Sequence, residues 1–188
     1  MARRWAVTGY DSTMTTQTTT IARNDNLLGV YLNDHLAGAT AGVELAKRLA
    51  GASDDEVDTP VMSRLAGEIA EDRDALMDVI STLDIPIRQY KVWLGWLAEK
   101  GGRLKPNGHV LSRSPLSRVL ELEMLRLGIE GKAAVWRTLR ARAATDPRLE
   151  TARFDRLLQR ADDQATQVER LRTSAVTEVF GGSGEPVA

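Results

Sequence analysis

Residues 60–83 read PVMSRLAGEIAEDRDALMDVISTL, and the spacing of their apolar side chains decides the fold class. Positions at alternating intervals of three and four are apolar, at Met62, Leu65, Ile69, Leu76, Val79 and Leu83, except that Asp72 occupies the position between Ile69 and Leu76. This spacing places them on one face of an α-helix, so it predicts a helix over residues 60–83. Thr59 is a good N-cap, and Pro60 suits the first turn, where its missing N–H costs nothing.

Three further segments show the same spacing and predict long helices, at residues 24–50, 114–144 and 149–180. A shorter helix is predicted over residues 86–100, and the stretch rich in Gly, Pro and Ser at 101–115 predicts a loop. No segment alternates with a period of two residues for long, so no sheet is expected. Two short connections and one long one predict an all-α antiparallel four-helix bundle, whose long crossover carries the short extra helix.

The two ends of the chain differ in composition from its middle. Residues 1–20 are rich in threonine, which predicts a disordered tail, and GGSGEPVA at 181–188 predicts a flexible end. The bundle domain is therefore expected over residues 21–180.

Composition excludes several classes of function. The chain of 188 residues has no cysteine, which excludes disulfides, thiolate metal sites and cysteine nucleophiles. The formal net charge is −1, so no general attraction to nucleic acid or membranes is implied. No apolar run is long enough to span a membrane, and we expect a cytoplasmic protein.

Polar residues interrupt three of the apolar stripes near the middle of their helices. His35 lies on the stripe of the first helix with Asp34 beside it, Asp72 lies on the second, and Gln164 lies on the fourth. The midpoints of antiparallel helices come to similar heights in a bundle. These residues therefore predict a polar layer halfway along the core.

The third long helix leaves two interpretations open. Glu123 and Glu130 share a face beside an apolar set formed by Leu116, Leu120, Leu127 and Ala134. The acids form either a solvated strip with ordinary ion pairs, or Glu123 turns inward and joins the polar layer. This helix is apolar almost all round, which favours the second interpretation.

A buried charge is costly unless it is paired, hydrogen-bonded or bound to a metal, so the polar layer has three explanations. The first explanation is a closed structural network, for example Asp72 with His35 and an arginine such as Arg73. The second is a carboxylate-rich metal site. The third explanation is that the helices rotate far enough for these residues to reach water.

Helix order, the long crossover and the central polar layer make residues 24–180 resemble the ferritin-like superfamily. Metal sites of that superfamily use a Glu from each of two helices and Glu-x-x-His from each of the other two. The resemblance implies these candidate metal ligands: Asp34, His35, Glu68, Glu71, Asp72, Asp74, Glu123, Glu130 and Asp163. Glu71-x-x-Asp74 and Asp163-x-x-Thr166 stand where the Glu-x-x-His pairs would be. Any metal would be held mainly by carboxylates, which suit manganese as well as iron.

Two other features have a structural and a functional interpretation. The small residues AGATAG at 37–42 fit close helix packing, or else leave room for a ligand or a tryptophan ring. Residues 54–78 are strongly acidic, whereas residues 100–120 have basic side chains and no acid. The basic segment covers the acidic helix, or it binds anions or nucleic acid through Arg103, Lys105, Arg113 and Arg118.

The sequence carries no phosphate-binding loop, nucleophile elbow or other catalytic motif. We therefore expect a non-enzymatic bundle without a resident cofactor, whose polar layer is structural and which acts by self-association, as a homodimer, or by binding a partner. One alternative is an iron- or manganese-binding protein or oxidase. The other is a protein that binds anions or nucleic acid through the 100–120 segment.

Overall fold

The structure is a computed structural model that describes residues 12–52, 58–87 and 115–181. For residues 12–25 and Pro115 it describes the backbone alone. The described residues form four helices and no strand: α1 Ser12–Gly51, α2 Asp58–Thr82, α3 Pro115–Ala143 and α4 Thr151–Phe180. The predicted all-α class is confirmed for this part of the chain. None of these four helices contains an apolar stretch of membrane-spanning length.

The bounds of α2, α3 and α4 lie within two residues of the predicted ones, but the predicted start of α1 is wrong. The helix begins at Ser12, twelve residues earlier, and includes the threonine-rich stretch assigned to the tail. The helix propensity of threonine is only moderately lower than that of alanine. No glycine or proline interrupts the chain between Ser12 and Leu28. The short helix predicted over 86–100 and the loop after it fall almost entirely outside the described residues.

α2 ends in a turn that reverses the chain without glycine. Asp84 has a positive φ of 55°, the left-handed conformation that usually ends a helix. The Ile85 backbone N–H donates to the carbonyl of Ile80 at 3.0 Å, and the Asp84 N–H donates to that of Ser81 at 3.0 Å. These bonds satisfy carbonyls at the helix end that have no partner within the helix.

Asp146 organises the short turn between α3 and α4. Its buried carboxylate accepts hydrogen bonds from the Arg148 backbone N–H at 3.2 Å and from the Arg148 guanidinium at 2.8 and 2.9 Å. Chiefly because of the side-chain hydrogen bond from Arg148, the pKa of Asp146 is lowered to about 2. The turn keeps α3 and α4 together as a hairpin.

The core consists of two apolar clusters. α1 packs against α2 and α3, and α4 packs against α3 and α2. One cluster takes buried residues that lie later on α1 and α4 and earlier on α2 and α3, among them Val43, Leu65, Leu125 and Val168. The other takes residues that lie earlier on α1 and α4 and later on α2 and α3, among them Leu36, Val79, Trp136 and Phe154. Polar side chains near the middle of the bundle lie between the two clusters.

Candidate functional site

Asp72 is the centre of a buried polar network, as the sequence predicted for its position. Its side chain has no exposed surface. One carboxylate oxygen accepts a hydrogen bond from the Arg160 guanidinium, and the other accepts from the Lys132 ammonium. The second oxygen also accepts from the Gln164 amide nitrogen at 3.2 Å. Two cations and an amide therefore saturate this carboxylate in the core.

Lys132 reaches the network from α3 and connects two of its members. Its ammonium donates to Asp72 and to the amide oxygen of Gln164. The side chain is only 13% exposed, and burial lowers the pKa of Lys132, while the charge and hydrogen bond of Asp72 oppose that shift. An ammonium group has three donors, and two of those of Lys132 are used by described residues.

A second layer of charges balances the network toward the surface. Gln164 donates to Glu68 at 3.2 Å, Arg160 donates to Glu71 at 2.9 Å, and Arg64 lies 3.7 Å from Glu68. Three carboxylates thus face three cations: Asp72, Glu68 and Glu71 against Lys132, Arg160 and Arg64. Pairing of this kind offsets the cost of removing the inner charges from water.

A cavity of about 190 Å³ lies beside the network, between α1, α2 and α3. Its wall is mostly apolar and includes Ile69, Leu76, Leu125, Ile129, Val135 and Trp136. The polar side chains in the wall are His35, Asp72, Arg73 and Lys132. The cavity therefore combines an apolar body with charged groups from the network.

Four glycines lie in the cavity wall, and two of them, Gly38 and Gly128, are exposed to solvent. A Cβ added at Gly38 or Gly42 on α1, or at Gly128 or Gly131 on α3, would meet nothing within 4 Å. Close helix packing, the first interpretation of the small-residue run at 37–42, is therefore wrong for both of its glycines. Gly38 is exposed to solvent, and Gly42 is half-buried beside the cavity, so room for a ligand or a tryptophan ring stays a prediction.

Two hydrogen-bond donors of the cavity wall have no partner within the described part of the chain. The Trp136 indole is 1% exposed, and its Nε1 is buried without a hydrogen bond. Arg73 Nε is also buried and unpaired, although its Nη2 lies 3.1 Å from Asp74. Both groups are donors, and neither nitrogen has surface open to the cavity.

His35 is half-buried in the cavity wall and is not part of the Asp72 network. Its ring makes an edge contact with Tyr31 at 4.5 Å between centroids. Burial lowers the pKa of His35, and the neighbouring charge of Asp34 opposes the shift. Asp34 itself is exposed. The suggested network of Asp72 with His35 and Arg73 is wrong, because Lys132 and Arg160 occupy the carboxylate instead.

The remaining acidic candidates do not converge on Asp72. Glu123 does not turn inward: its side chain is 45% exposed and lies 3.7 Å from Arg172. Four others are exposed, namely Glu71, Asp74, Glu130 and Asp163. Glu71 pairs with Arg160, Asp74 pairs with Arg73, and Asp163 accepts from Gln159. The prediction that Glu123 turns inward is wrong because the face of α3 that packs against the core does not include Glu123.

Lys132 and Arg160 were not predicted as members of the network, although the sequence carries one signal for Lys132. Buried side chains on α3 recur at alternating intervals of four and three, at Leu125, Ile129, Trp136 and Leu139, and Lys132 falls on this stripe. The apolar set that was noted instead is exposed, with Leu127 at 67%. Lys132 therefore interrupts an apolar face as Asp72 and Gln164 do. Arg160 is next to its apolar stripe and gives no comparable signal.

The described residues do not fit a carboxylate metal site of the ferritin-like kind. No group of three His, Cys, Asp or Glu side chains that could hold a metal ion occurs among them. The oxygens of Asp72 already accept from two cations, which would repel a metal ion at the same place. Glu68 is the other acid near this point, and it accepts from Gln164.

The proposed anion-binding segment falls largely outside the described residues. Arg103, Lys105 and Arg113 lie there. Arg118 is described, and its guanidinium donates to Asp58 at the start of α2. The charge of Arg118 is therefore already paired.

Comparison of the chain with protein-family models, with curated proteins and with solved structures finds no match.

Proposed function

We propose that this protein is a non-enzymatic, ferritin-like antiparallel bundle that acts by self-association, with a structural polar network at the level of the superfamily's metal ligands. The composition of the two core clusters supports the antiparallel arrangement. One cluster joins the later core residues of α1 and α4 to the earlier ones of α2 and α3, and the other cluster joins the reverse set. Neighbouring helices then run in opposite directions, and the chain between α2 and α3 connects opposite ends of the bundle.

The single observation that carries the structural role is the saturation of Asp72 by Lys132 and Arg160. A carboxylate held by two cations and an amide has no charge left to attract a metal or a reacting group. Such a network instead fixes the helices against one another, because its members come from three helices, with Asp72 on α2. Lys132 comes from α3, and Arg160 and Gln164 come from α4.

The surface of α3 supports self-association. Four large apolar side chains on one face of the helix are 44–67% exposed: Leu116, Leu120, Met124 and Leu127. We call them the α3 stripe. Their spacing of four, four and three residues suits packing against another helix. A second copy supplies a matching stripe about a twofold axis, which is the commonest symmetry of soluble oligomers.

Sedimentation velocity on the full chain tests this proposal. We expect twice the chain mass of 20.6 kDa for the native protein, and the mass of a single chain for the double variant Leu120→Gln, Leu127→Gln. Leu27→Gln, Ile87→Gln is the matched control, because both leucine and isoleucine there are exposed outside the stripe. That control should remain a dimer. A native protein that sediments as a monomer at the highest soluble concentration would contradict self-association.

Elemental analysis of the same sample tests the structural role of the network. We expect no stoichiometric iron or manganese, even after incubation with either ion. Stoichiometric metal that is lost in Asp72→Asn would contradict the proposal and favour a metal centre.

A further inference from the structure

We propose that residues 88–100, in the chain between α2 and α3, pack as a helix over the opening of the cavity and place the ring of Trp93 in it. The inference goes beyond self-association and does not depend on it. It names the occupant of the cavity as a segment of the same chain that lies outside the described residues. The shape of the cavity, the surface around it and the two ends of the segment carry the argument.

The cavity opens to solvent between α1 and α3. Gly38, Gly128 and Met124 in its wall are exposed, and Met124 has 61% of its surface free. Behind them lie apolar side chains such as Ile129 and Val135. An open apolar groove of this kind is the surface in which an amphipathic helix lies.

The exposed apolar side chains of the described residues are concentrated on the same side of the bundle. Of the eight large ones, six belong to α1 or α3. The side between α2 and α4 is instead bridged by polar and charged pairs: Arg153 with Asp78, Arg160 with Glu71, and Arg64 with Gln167. Among the described residues, a covering helix therefore finds apolar surface beside α1 and α3 and charged surface beside α2 and α4.

The segment begins next to the cavity. The Asn33 side-chain amide donates to the carbonyl of Pro86 at 3.2 Å. A Cβ added at Gly29 would meet Cγ2 of Ile85 at 3.5 Å, so the chain that leaves α2 lies against α1. Gly38 in the cavity wall follows Asn33 within two turns of the same helix. The chain therefore enters the segment at one end of the opening.

The segment ends at the other end of the bundle, in the antiparallel arrangement proposed above. Arg48 on α1 lies 3.3 Å from Glu121 on α3, so these two residues mark the same height. From Asn33 to the start of α3 the distance along the bundle is then about 30 Å, at 1.5 Å per residue. A helix over residues 88–100 covers about 20 Å of it, and residues 101–114 are long enough to bridge the rest. Such a helix runs along the opening.

The segment has the side chains that this surface requires. Tyr90, Trp93, Leu94 and Leu97 have the spacing i, i+3, i+4 and i+7. That is the spacing of the anchors in a helix that lies in an apolar groove. An apolar cavity of about 150 Å³ holds benzene, so the cavity of about 190 Å³ has room for the indole ring of Trp93. This is the tryptophan-ring interpretation of the small residues at 37–42.

The docked helix leaves most of the α3 stripe to a second copy. Met124 is the one member of the stripe in the described wall of the cavity, whereas Leu116, Leu120 and Leu127 lie outside that wall. Docking of the segment and self-association therefore use adjacent surfaces of α3.

Urea denaturation of two matched glycine variants tests the location. Gly38 and Gly67 are both exposed inside helices, and a Cβ added at either meets nothing within 4 Å, but only Gly38 lines the cavity. Gly67→Leu should raise the denaturation midpoint, because leucine has a higher helix propensity than glycine. Gly38→Leu should lower it, because the new side chain takes the space of the Trp93 ring. An equal rise in both variants would overturn the proposal.

The variant Trp93→Ala separates this clash from a general effect of Gly38→Leu. Once the ring is absent, Gly38→Leu should no longer lower the midpoint, so the two substitutions are strongly coupled. If Gly38→Leu lowers the midpoint equally in the presence and absence of Trp93, the ring does not lie there and the proposal fails.

NMR of the methionine methyl groups tests the contact directly. The chain has five methionines, and Met124→Leu identifies the Met124 signal in methyl-labelled protein. Trp93→Leu should shift that signal, because the ring current of the indole is lost. The Met62 signal should stay in place, since Met62 does not line the cavity. A Met124 signal that does not move would overturn the proposal.

The same spectrum in the background Leu120→Gln, Leu127→Gln separates docking from self-association. The response of Met124 to Trp93→Leu should persist there, since the occupant belongs to the same chain. A native protein that is a monomer but shows this response would contradict self-association alone. A response that disappears together with the dimer would show that a second copy covers the cavity, which would overturn the proposal.

Discussion

Asp72 lies in the core because its charge is fully matched there. A lone carboxylate would be neutralised or forced out by the cost of losing its hydration. Lys132, Arg160 and Gln164 replace that hydration with three hydrogen bonds. The penalty for removing any one member therefore exceeds the value of a single exposed ion pair.

Asp72→Ala should lower the free energy of unfolding by about 3 kcal/mol, because it leaves the buried Lys132 ammonium without its counter-charge. The loss stays near the low end of the usual range because Arg160 is partly exposed and keeps Glu71. Urea denaturation measures it, with Asp74→Ala on the exposed side of α2 as a control that should change little. A change in Asp72→Ala no larger than in the control would contradict the role of the network.

Asp146→Asn should reduce stability at neutral pH by about 1–2 kcal/mol, since it removes a charged pair with Arg148. The pKa of Asp146 is lowered in the folded state, to about 2 from an ordinary value of 3.8. Its contribution is therefore complete above about pH 4 and is lost as the pH falls toward 2. Denaturation curves across that range should show the gap between native protein and variant closing.

The control for this prediction is Asp155→Asn. Asp155 pairs with Arg140, but both side chains are half exposed, so its removal should have little effect at any pH in the range. A gap between native protein and Asp146→Asn that stays constant down to pH 2 would argue against the lowered pKa.

At the scale of the element, α3 has two apolar faces with different roles. Leu125, Ile129, Trp136 and Leu139 form the buried face, and the α3 stripe forms an exposed one. Residues of the two faces are interleaved in sequence. The apolar periodicity is therefore compatible with two different rotations of α3 about its axis, each of which would bury one of the two faces. Lys132 belongs to the buried face and therefore marks the interior, although lysine is usually a surface residue.

The end of α2 offers a test of backbone strain. Asp84→Gly should raise the free energy of unfolding by about 0.5–1 kcal/mol, because glycine adopts a φ of 55° without the steric cost that aspartate bears. Asp162→Gly, at an exposed position inside α4, is the opposite control and should be destabilising. Thermal unfolding of both variants would decide, and a loss of stability in Asp84→Gly would contradict the geometry of this turn.

At the scale of the whole molecule, the polar network lies near the middle of the bundle, and Leu158 packs against both apolar clusters. Such a layer limits how the helices can slide past one another, because each polar group must meet its partner. Specificity of this kind is often obtained at a cost in stability, since apolar residues of similar volume pack without losing hydration.

The triple variant Asp72→Leu, Lys132→Met, Gln164→Leu should therefore unfold with a free energy equal to or above that of the native protein. Single substitutions within the network should lower it, so the three effects are strongly non-additive. Urea denaturation of the three single variants and the triple variant measures this coupling. A triple variant that loses the sum of the single effects would show that the groups act independently.

The sequence by itself determined the helical class and the bounds of α2, α3 and α4, because local spacing and capping residues are properties of contiguous segments. It also identified Asp72 and Gln164 as buried, since both interrupt otherwise apolar stripes. It misplaced the start of α1, where weak propensities do not define an end.

Only the tertiary structure decided which partners meet Asp72, which way Glu123 faces, and that the small residues of α1 border a cavity. Each of these depends on rotations of tens of degrees about helix axes, and a rotation of that size moves a side chain from core to solvent without changing the sequence pattern. Lys132 meets Asp72 because two helices far apart in the chain fix those rotations together through their packed side chains.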